Sequence, residues 1–325
     1  MATEFDLIKR FFSRPVSAEL LGGGDDCALF GVTPGFQVAT STDLLLEGRH
    51  FFSDVDPRSL GHKALAVNLS DLAAMGARPL GCLLGLGLPA INEAWVEQFA
   101  EGFYALAEQH GCALIGGDTT RSLQGVTLSV TVFGEVEPNL ALRRNAAQAG
   151  DDIWVSGTLG AADIACRMLA GEIPLDTELL QATRRALEWP TPQVQLGLQL
   201  RSHAHAAIDV SDGLLQDLGH ILTASGVGAE LHEARLPIHP SLIDLSKHKL
   251  SPDVLRRAML AGGDVYEICF TAASAQRSTL EAIGHTLGVA LTRVGTIRSA
   301  PGLVVYDQTD AAISELPSGF DHFRI

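Results

Sequence analysis

Hydrophobic and polar positions alternate along this chain with two periods, and the switches between them mark out elements. Phe5, Ile8, Phe11 and Phe12 fall at helical spacing and predict an amphipathic helix over residues 1–20. Residues 36–48 predict a strand followed by a polar loop, and 57–77 predict a helix closed by Arg78-Pro79. A strand follows at 82–89, and Asn92 can cap a helix that carries Trp95, Phe99, Tyr104 and Leu106 to about His110. Residues 112–120 predict a short strand, and the strict alternation over 126–136 predicts another.

A boundary is expected near Ala149-Gly150, dividing the chain into domains of residues 1–148 and 149–325. Beyond it come a strand at 152–157, a glycine turn, a helix over about 160–170, and helical sequence up to Trp189-Pro190-Thr191-Pro192. Residues 206–214 read as strand, loop and helix start, with further strands at 228–237, 266–272, 290–297 and 302–308. Strands and helices mix in both halves, so α/β or α+β layering fits each.

Composition narrows the classes. The chain has 325 residues, 46% of them apolar, enough for a substantial core. The net charge of −15 gives no electrostatic footprint for nucleic acid and would be repelled by an acidic membrane surface. Five dispersed cysteines without a CxxC pair argue for reduced thiols in a cytoplasm and against a disulfide frame or a zinc site. No stretch is apolar for long enough to predict a membrane span or a signal peptide.

The chemistry lies in where the acids fall. Asp25 and Asp26 in GGGDDCA, Asp43 in STD, Asp118 in GGDTT, and Asp209 and Asp212 in DVSDG each follow or flank a strand-like run beside Gly, Ser or Thr. A single such Asp is ordinary turn chemistry. Four independent strand-end acidic turns point to loops that share a ligand, because strand ends aim loops at common sites. Asp71 adds a different signal. With Leu60, Ala64, Val67 and Ala74 it steps along one stripe of the 57–77 helix. A carboxylate there needs a cation, a metal or an Arg as partner, unless the stripe tilts it to solvent. Hard oxygen ligands suit Mg²⁺, which takes one or two protein carboxylates per ion and completes its shell with water and phosphate oxygens. Magnesium would turn a negative site into a holder for polyphosphate.

The usual nucleotide signatures are missing. There is no GxxxxGK[ST], no protein-kinase motif set, and GGG at 22–24 lacks the dinucleotide spacing. SGTLG at 156–160 sits between a strand and a helix, where an ordinary βα turn or a phosphate loop would both fit.

Taken together and in order, GDDCALF (24–30), STDLLLEGRHF (41–51), KALAVNLSDLAAMGARP (63–79), LIGGDTTR (114–121), AIDVSDGLLQDLGH (207–220), AGGDVYEICF (261–270) and GFDHF (319–323) resemble the thiamine-monophosphate kinases, within the larger family related to aminoimidazole ribonucleotide synthetase. The resemblance implies two domains of the aminoimidazole ribonucleotide synthetase-like fold, an N-terminal α+β domain with a dimer-forming sheet and a C-terminal α/β domain. It implies ATP and thiamine monophosphate as substrates, several Mg²⁺ ions, direct in-line transfer without a phosphoenzyme, and a homodimer. Carried over by position, Asp26, Ser41, Thr42, Asp43, Asp71, Asp118, Asp209 and Asp212 correspond to the metal shell, with Asp43, Asp71 and Asp118 acting through the metal. Gly117, Asp118, Arg144 and Ser211 correspond to nucleotide contacts, and His50, Asp264 and Phe320 to acceptor contacts. The chain departs from the family at GGDVYEI (262–268): Asp264 stands where a glutamate is usual, and Val265 where a second acid is usual. The alternatives are a relative acting on another small substrate, and an ATP-binding maturation or scaffold protein.

Overall fold

The computed structural model describes residues 3–16, 20–22, 26–244 and 250–320. The chain divides into two compact units, Met1–Leu72 with Ala77–Asn139, and Ala73–Gly76 with Leu140–Ile325. Residues 140–148 run with the second unit, where Ala147 is buried in its core.

The first unit is a four-stranded sheet in the order β1-β4-β2-β3, formed by β1 (Gln37–Leu46), β2 (Arg78–Leu88), β3 (Ala113–Arg121) and β4 (Thr127–Val136). β1 and β2 each pair antiparallel with β4, and β3 lies parallel to β2. One face carries Leu45, Leu128, Val130, Val132, Cys82, Leu84 and Leu86, all buried. Two long helices, α2 (Pro57–Ala74) and α3 (Glu93–His110), belong to this unit. α2 lies against the buried face and is enclosed almost all round, including Leu60, Ala64, Leu65, Ala66 and Leu69. A Cβ on Gly61 or Gly102 would fall within 2.0 Å of the backbone of the other helix, so glycine permits their contact. Asn92 caps α3 by accepting from Trp95 N at 3.2 Å, as its sequence predicts.

Two elements differ from the pattern. The predicted helix over 1–20 is only α1 (Glu4–Leu7), continued as a π-helical turn to Phe12. Phe5 is 76% exposed, so the apolar residues do not share one buried face. The strand expected at 82–89 begins at Arg78, because its pairing with β4 shifts register between Pro79 and Gly81, and such an irregularity tolerates a proline.

The second unit is a six-stranded sheet in the order β10-β7-β9-β5-β8-β6. Its strands are β5 (Asp152–Ser156), β6 (Ala206–Asp209), β7 (Gly228–His232), β8 (Ile268–Ala272), β9 (Leu291–Arg298) and β10 (Gly302–Tyr306). Every residue of β5, β6 and β8 is buried, so these strands are covered on both faces. The helices here are α4 (Ala161–Leu169), α5 (Thr177–Glu188), α6 (Val194–Leu200), α7 (Leu214–Ser225), α8 (Pro252–Ala261) and α9 (Arg277–Leu287).

Candidate active site

In the first unit the paired acids are built by β1 and α2. The period of two along β1 sends Ser41, Asp43 and Leu45 to the helix-covered face and Thr42, Leu44 and Leu46 to the other. Asp71 reaches β1 from α2 and accepts the Ser41 hydroxyl at 2.5 Å. Asn68, one helical turn earlier, accepts from Asp43 N at 3.1 Å and donates to Ala64 O at 3.0 Å, which pins the strand to the helix. Burial, and then the charge of Asp71, push the Asp43 carboxyl up to about 6. Two carboxylates this close raise each other's ionisation cost, and a cation between them removes that cost.

Other residues of this unit stand differently. Thr42 meets Thr131 at 2.7 Å on the opposite face, so its hydroxyl is not brought to the Asp43–Asp71 pair. His50 Nδ1 accepts from Leu46 N at 3.0 Å, which leaves the ring proton on Nε2, and buried Lys63 donates to the His50 carbonyl at 3.3 Å. Asp26 is exposed, in a loop closed by the Leu21–Leu29 bridge, whereas Asp25 lies outside the described residues. Gly117 pairs with Leu84, and a Cβ there would lie 1.9 Å from the Leu84 carbonyl oxygen. Asp118 is exposed at a register position beside Gly85, on the face that bears Thr42 and Leu44. β1 and β3 are the two edges of the sheet, three strand spacings or about 14 Å apart. One chain therefore does not place Asp118 on the same ion as Asp43.

The second unit gathers its residues more tightly. Asp209 is buried at the end of β6. The following loop is zipped to residues 264–267: Val210 N donates to Glu267 O, Asp264 N to Ser211 O and Tyr266 N to Val210 O, each at 2.8 Å. Asp264 and Tyr266 have φ of 59° and 56°, a conformation unfavourable for residues with a side chain. Phe320 joins the same loop, its N–H donating to Asp212 O at 3.0 Å while its carbonyl accepts from Gln216 at 3.0 Å. Ser211, Asp212, Asp264 and Phe320 are thus brought together; residues 321–323 of the GFDHF string lie outside the described residues.

Arg144 is exposed in a 3-10 turn whose carbonyl accepts from Ser225 at the far end of α7. A 12-residue helix spans about 18 Å, so the Arg144 backbone is not beside Ser211.

Several residues escaped the sequence reading. Asp217, in the first turn of α7, is buried, and its Oδ2 accepts from the N–H groups of Ser211, Asp212 and Gly213, each at 3.1 Å. Burial outweighs those three bonds and pushes its carboxyl up to about 7. Glu267 is pushed up to about 7 by burial, against hydrogen bonds from Ser156 and Gln193. Asp163 on α4 is raised to about 6, chiefly by burial, with Arg167 and Arg257 opposing and Glu172 and Asp264 adding to it. Asn68 carried a usable signal, three residues before Asp71 on the same helix face. Asp217 lies four to six residues from the N–H groups it accepts from, and Glu267, which could stand in for Asp264 if that shorter acid did not reach, is instead bonded by Ser156 at the end of β5.

Among the described residues no group of three His, Cys, Asp or Glu side chains is clustered as a metal cage. The Asp43–Asp71 pair with the Ser41 hydroxyl nevertheless fits Mg²⁺, which takes few protein ligands and completes its shell with water and phosphate. No helix among the described residues is long and apolar enough to cross a membrane.

Residues 24–136 match the N-terminal domain family of AIR synthase related proteins, and residues 148–308 match its C-terminal domain family. The thiamine-monophosphate kinase of Escherichia coli O157:H7 is 42% identical over 328 residues, spanning 98% of both chains. The crystal structure of thiamine-monophosphate kinase from Stenotrophomonas maltophilia K279a is 47% identical with a TM-score of 0.83, covering 92% of this chain and 94% of that one. AaThiL complexed with AMPPCP and TMP is 28% identical with a TM-score of 0.77, covering 90% and 89%.

Proposed function

The chain belongs to the AIR synthase related family, among its thiamine-monophosphate kinases, and from that premise we propose that it transfers the terminal phosphoryl group of ATP to thiamine monophosphate by direct in-line attack. AaThiL, an enzyme of the same fold, is described with AMPPCP and TMP, a pair that corresponds to donor analogue and acceptor.

The observation that carries the reading is the Asp43–Asp71 pair, two acids held against each other at the β1–α2 contact with Asp43 raised to about 6. Mg²⁺ held by Asp43, Asp71 and the Ser41 hydroxyl would neutralise phosphate charge, the main requirement of phosphoryl transfer. Asp209 and Asp212 form the acidic set of the second unit. Ser211 meets the nucleotide, and Asp264 and Phe320, fastened to the same loop, meet the acceptor. The attacking oxygen belongs to a phosphate and is already anionic, so no strong general base is needed. The chain's part is to orient two anions and to screen their repulsion.

The chain acts as a homodimer in this reading. β1 presents Val38, Leu44 and Leu46, 53%, 58% and 41% exposed, on the open face of the first sheet, and a second copy of that face would cover them. Asp118 shares that face, so it meets an ion or phosphate held between copies, not the Asp43–Asp71 pair of its own chain.

The test is to incubate the protein with ATP, Mg²⁺ and thiamine monophosphate and to measure thiamine diphosphate, alongside Asp43→Ala and Asp71→Ala. Product from the wild type and none from either variant is expected. A wild type that makes no thiamine diphosphate, or an Asp71→Ala variant with full turnover, would end this reading.

A further inference from the structure

Helix α2 offers a line of polar side chains to β1 and to the turn that follows it. Asp71 accepts the Ser41 hydroxyl, Asn68 accepts from Asp43 N, and Lys63, about two turns before Asp71, donates to the His50 carbonyl at 3.3 Å. Asp71 and Asn68 belong to the acid pair at the β1–α2 contact. Lys63 stands outside that pair and is buried to an extent rare for lysine, at 2% exposure. Taking an ammonium out of water is costly, and an apolar side chain of the same length would fill the space without that cost. The charge is therefore retained for what it holds.

What it holds is a turn built around an imidazole. Arg49 N and His50 N donate to Leu46 O at 3.1 and 2.9 Å, and Gly48, at φ +78°, donates to Phe51 O at 2.8 Å. Glu47 exchanges two bonds with Val126, just before β4, at 3.0 and 2.7 Å. The His50 ring folds back within this turn, its Nδ1 accepting from Leu46 N at 3.0 Å. A neutral imidazole that accepts at Nδ1 donates at Nε2, so the turn fixes both the tautomer and the direction of the remaining N–H. That bond needs the His50 backbone in register with Leu46. Through Lys63, α2 takes hold of this backbone at the His50 carbonyl, thirteen positions earlier in the chain. With the carbonyl released, the peptide after His50 can rotate, and the ring carried on the same residue swings with it.

We propose that Lys63 is a positioning residue for phosphoryl transfer: its buried ammonium, through the His50 carbonyl, holds the 46–51 turn so that His50 presents a fixed Nε2–H donor to the phosphate-bearing acceptor. The orientation of the ring rests on the geometry of the first unit alone, and the identity of the acceptor rests on the kinase reading. Lys63 acts through His50 and does not itself touch the substrate.

Two measurements test it on the full chain. The first is made on ¹⁵N-labelled protein without metal or substrate, with His50→Gln to assign the ring signals. In the wild type His50 Nδ1 should be unprotonated and coupled across its hydrogen bond to the Leu46 amide. In Lys63→Met, which keeps the length of the side chain and removes the donor, that coupling should vanish and the Leu46 amide should exchange with solvent about tenfold faster or more. The second is kinetic. Lys63→Met is expected to raise KM for thiamine monophosphate about tenfold or more while leaving KM for ATP unchanged. In a His50→Gln background the same substitution should add no more than about a twofold change, because the two residues act as one unit. Lys63→Gln, too short to reach the carbonyl, repeats both tests should Lys63→Met fail to fold. An unchanged His50 ring signal in the folded variant, or a full tenfold effect that persists without His50, overturns the proposal. A ring released in Lys63→Met, in a protein whose wild type makes no thiamine diphosphate, would leave the positioning role standing and remove the kinase reading. Turnover with the same KM for thiamine monophosphate in Lys63→Met would do the reverse.

Discussion

Replacing Asp43 by asparagine is expected to stabilise the metal-free protein while abolishing its activity. The Asp43 carboxyl is held at about 6, against 3.8 for an ordinary aspartate, first by burial and then by the charge of Asp71. Between those two values the unfolded chain has lost the proton and the folded chain has kept it. The stability this group contributes is therefore fully present below pH 3.8 and is lost as pH rises through 6. A rise of about two pH units, at about 1.4 kcal/mol each, makes the ionised side chain a burden of about 3 kcal/mol at neutral pH. The asparagine side chain has the same shape and no charge to desolvate. In EDTA at pH 8 the first unit of Asp43→Asn should melt on the order of 5–10 °C above the wild type. The gap should narrow to a small remainder by about pH 4 and vanish below about pH 3, where Asp43 is protonated in both states. Saturating Mg²⁺ should reverse the order, because the ion stabilises only the chain that binds it. Coincident melting curves in EDTA at pH 8, or a gap that persists unchanged at pH 4, would refute the account of the acid pair.

Mg-ATP should raise the melting temperature of the wild type, EDTA should cancel the rise, and Asp71→Ala should show none; a full shift in that variant would take Asp71 out of the ion site. Asp217→Ala leaves three N–H groups of the 211–213 loop without their acceptor, at about 3 kcal/mol in total. Its KM for Mg-ATP should rise at least tenfold, and unchanged kinetics in a folded variant would mean the loop holds itself. Gly117→Ala should fold poorly, since its Cβ meets the Leu84 carbonyl at 1.9 Å, whereas Gly150→Ala, at φ +93° with nothing within 4 Å, should cost only about 1 kcal/mol. Equal melting temperatures for the two glycine variants would show that β3 can move aside.

The sheet strands and long helices are legible because burial imposes periodicity. The alternation over 126–136 is β4, and the Asn92 cap is the start of α3. Period alone misreads the N-terminal helix, because it does not show whether anything covers the apolar face, and Phe5 remains in solvent. The acidic turns are legible as a set, and so is Asp71 as an acid on an apolar helix stripe. The partners of Asp43 and Asp71 are not, since hydrogen bonds between residues 25 and 30 positions apart leave no local pattern.

Residue pattern alone thus determines the type and order of most elements and the family to which the chain belongs. Only the folded chain decides which acids share a site. β1 and α2 join Asp43 to Asp71, and sheet order holds Asp118 on the far edge. Folding also closes the loop bearing Asp264 on Ser211. The reason is that periodicity records which side of an element is buried, while proximity between elements is set by strand pairing and backbone hydrogen bonds to which every residue contributes alike.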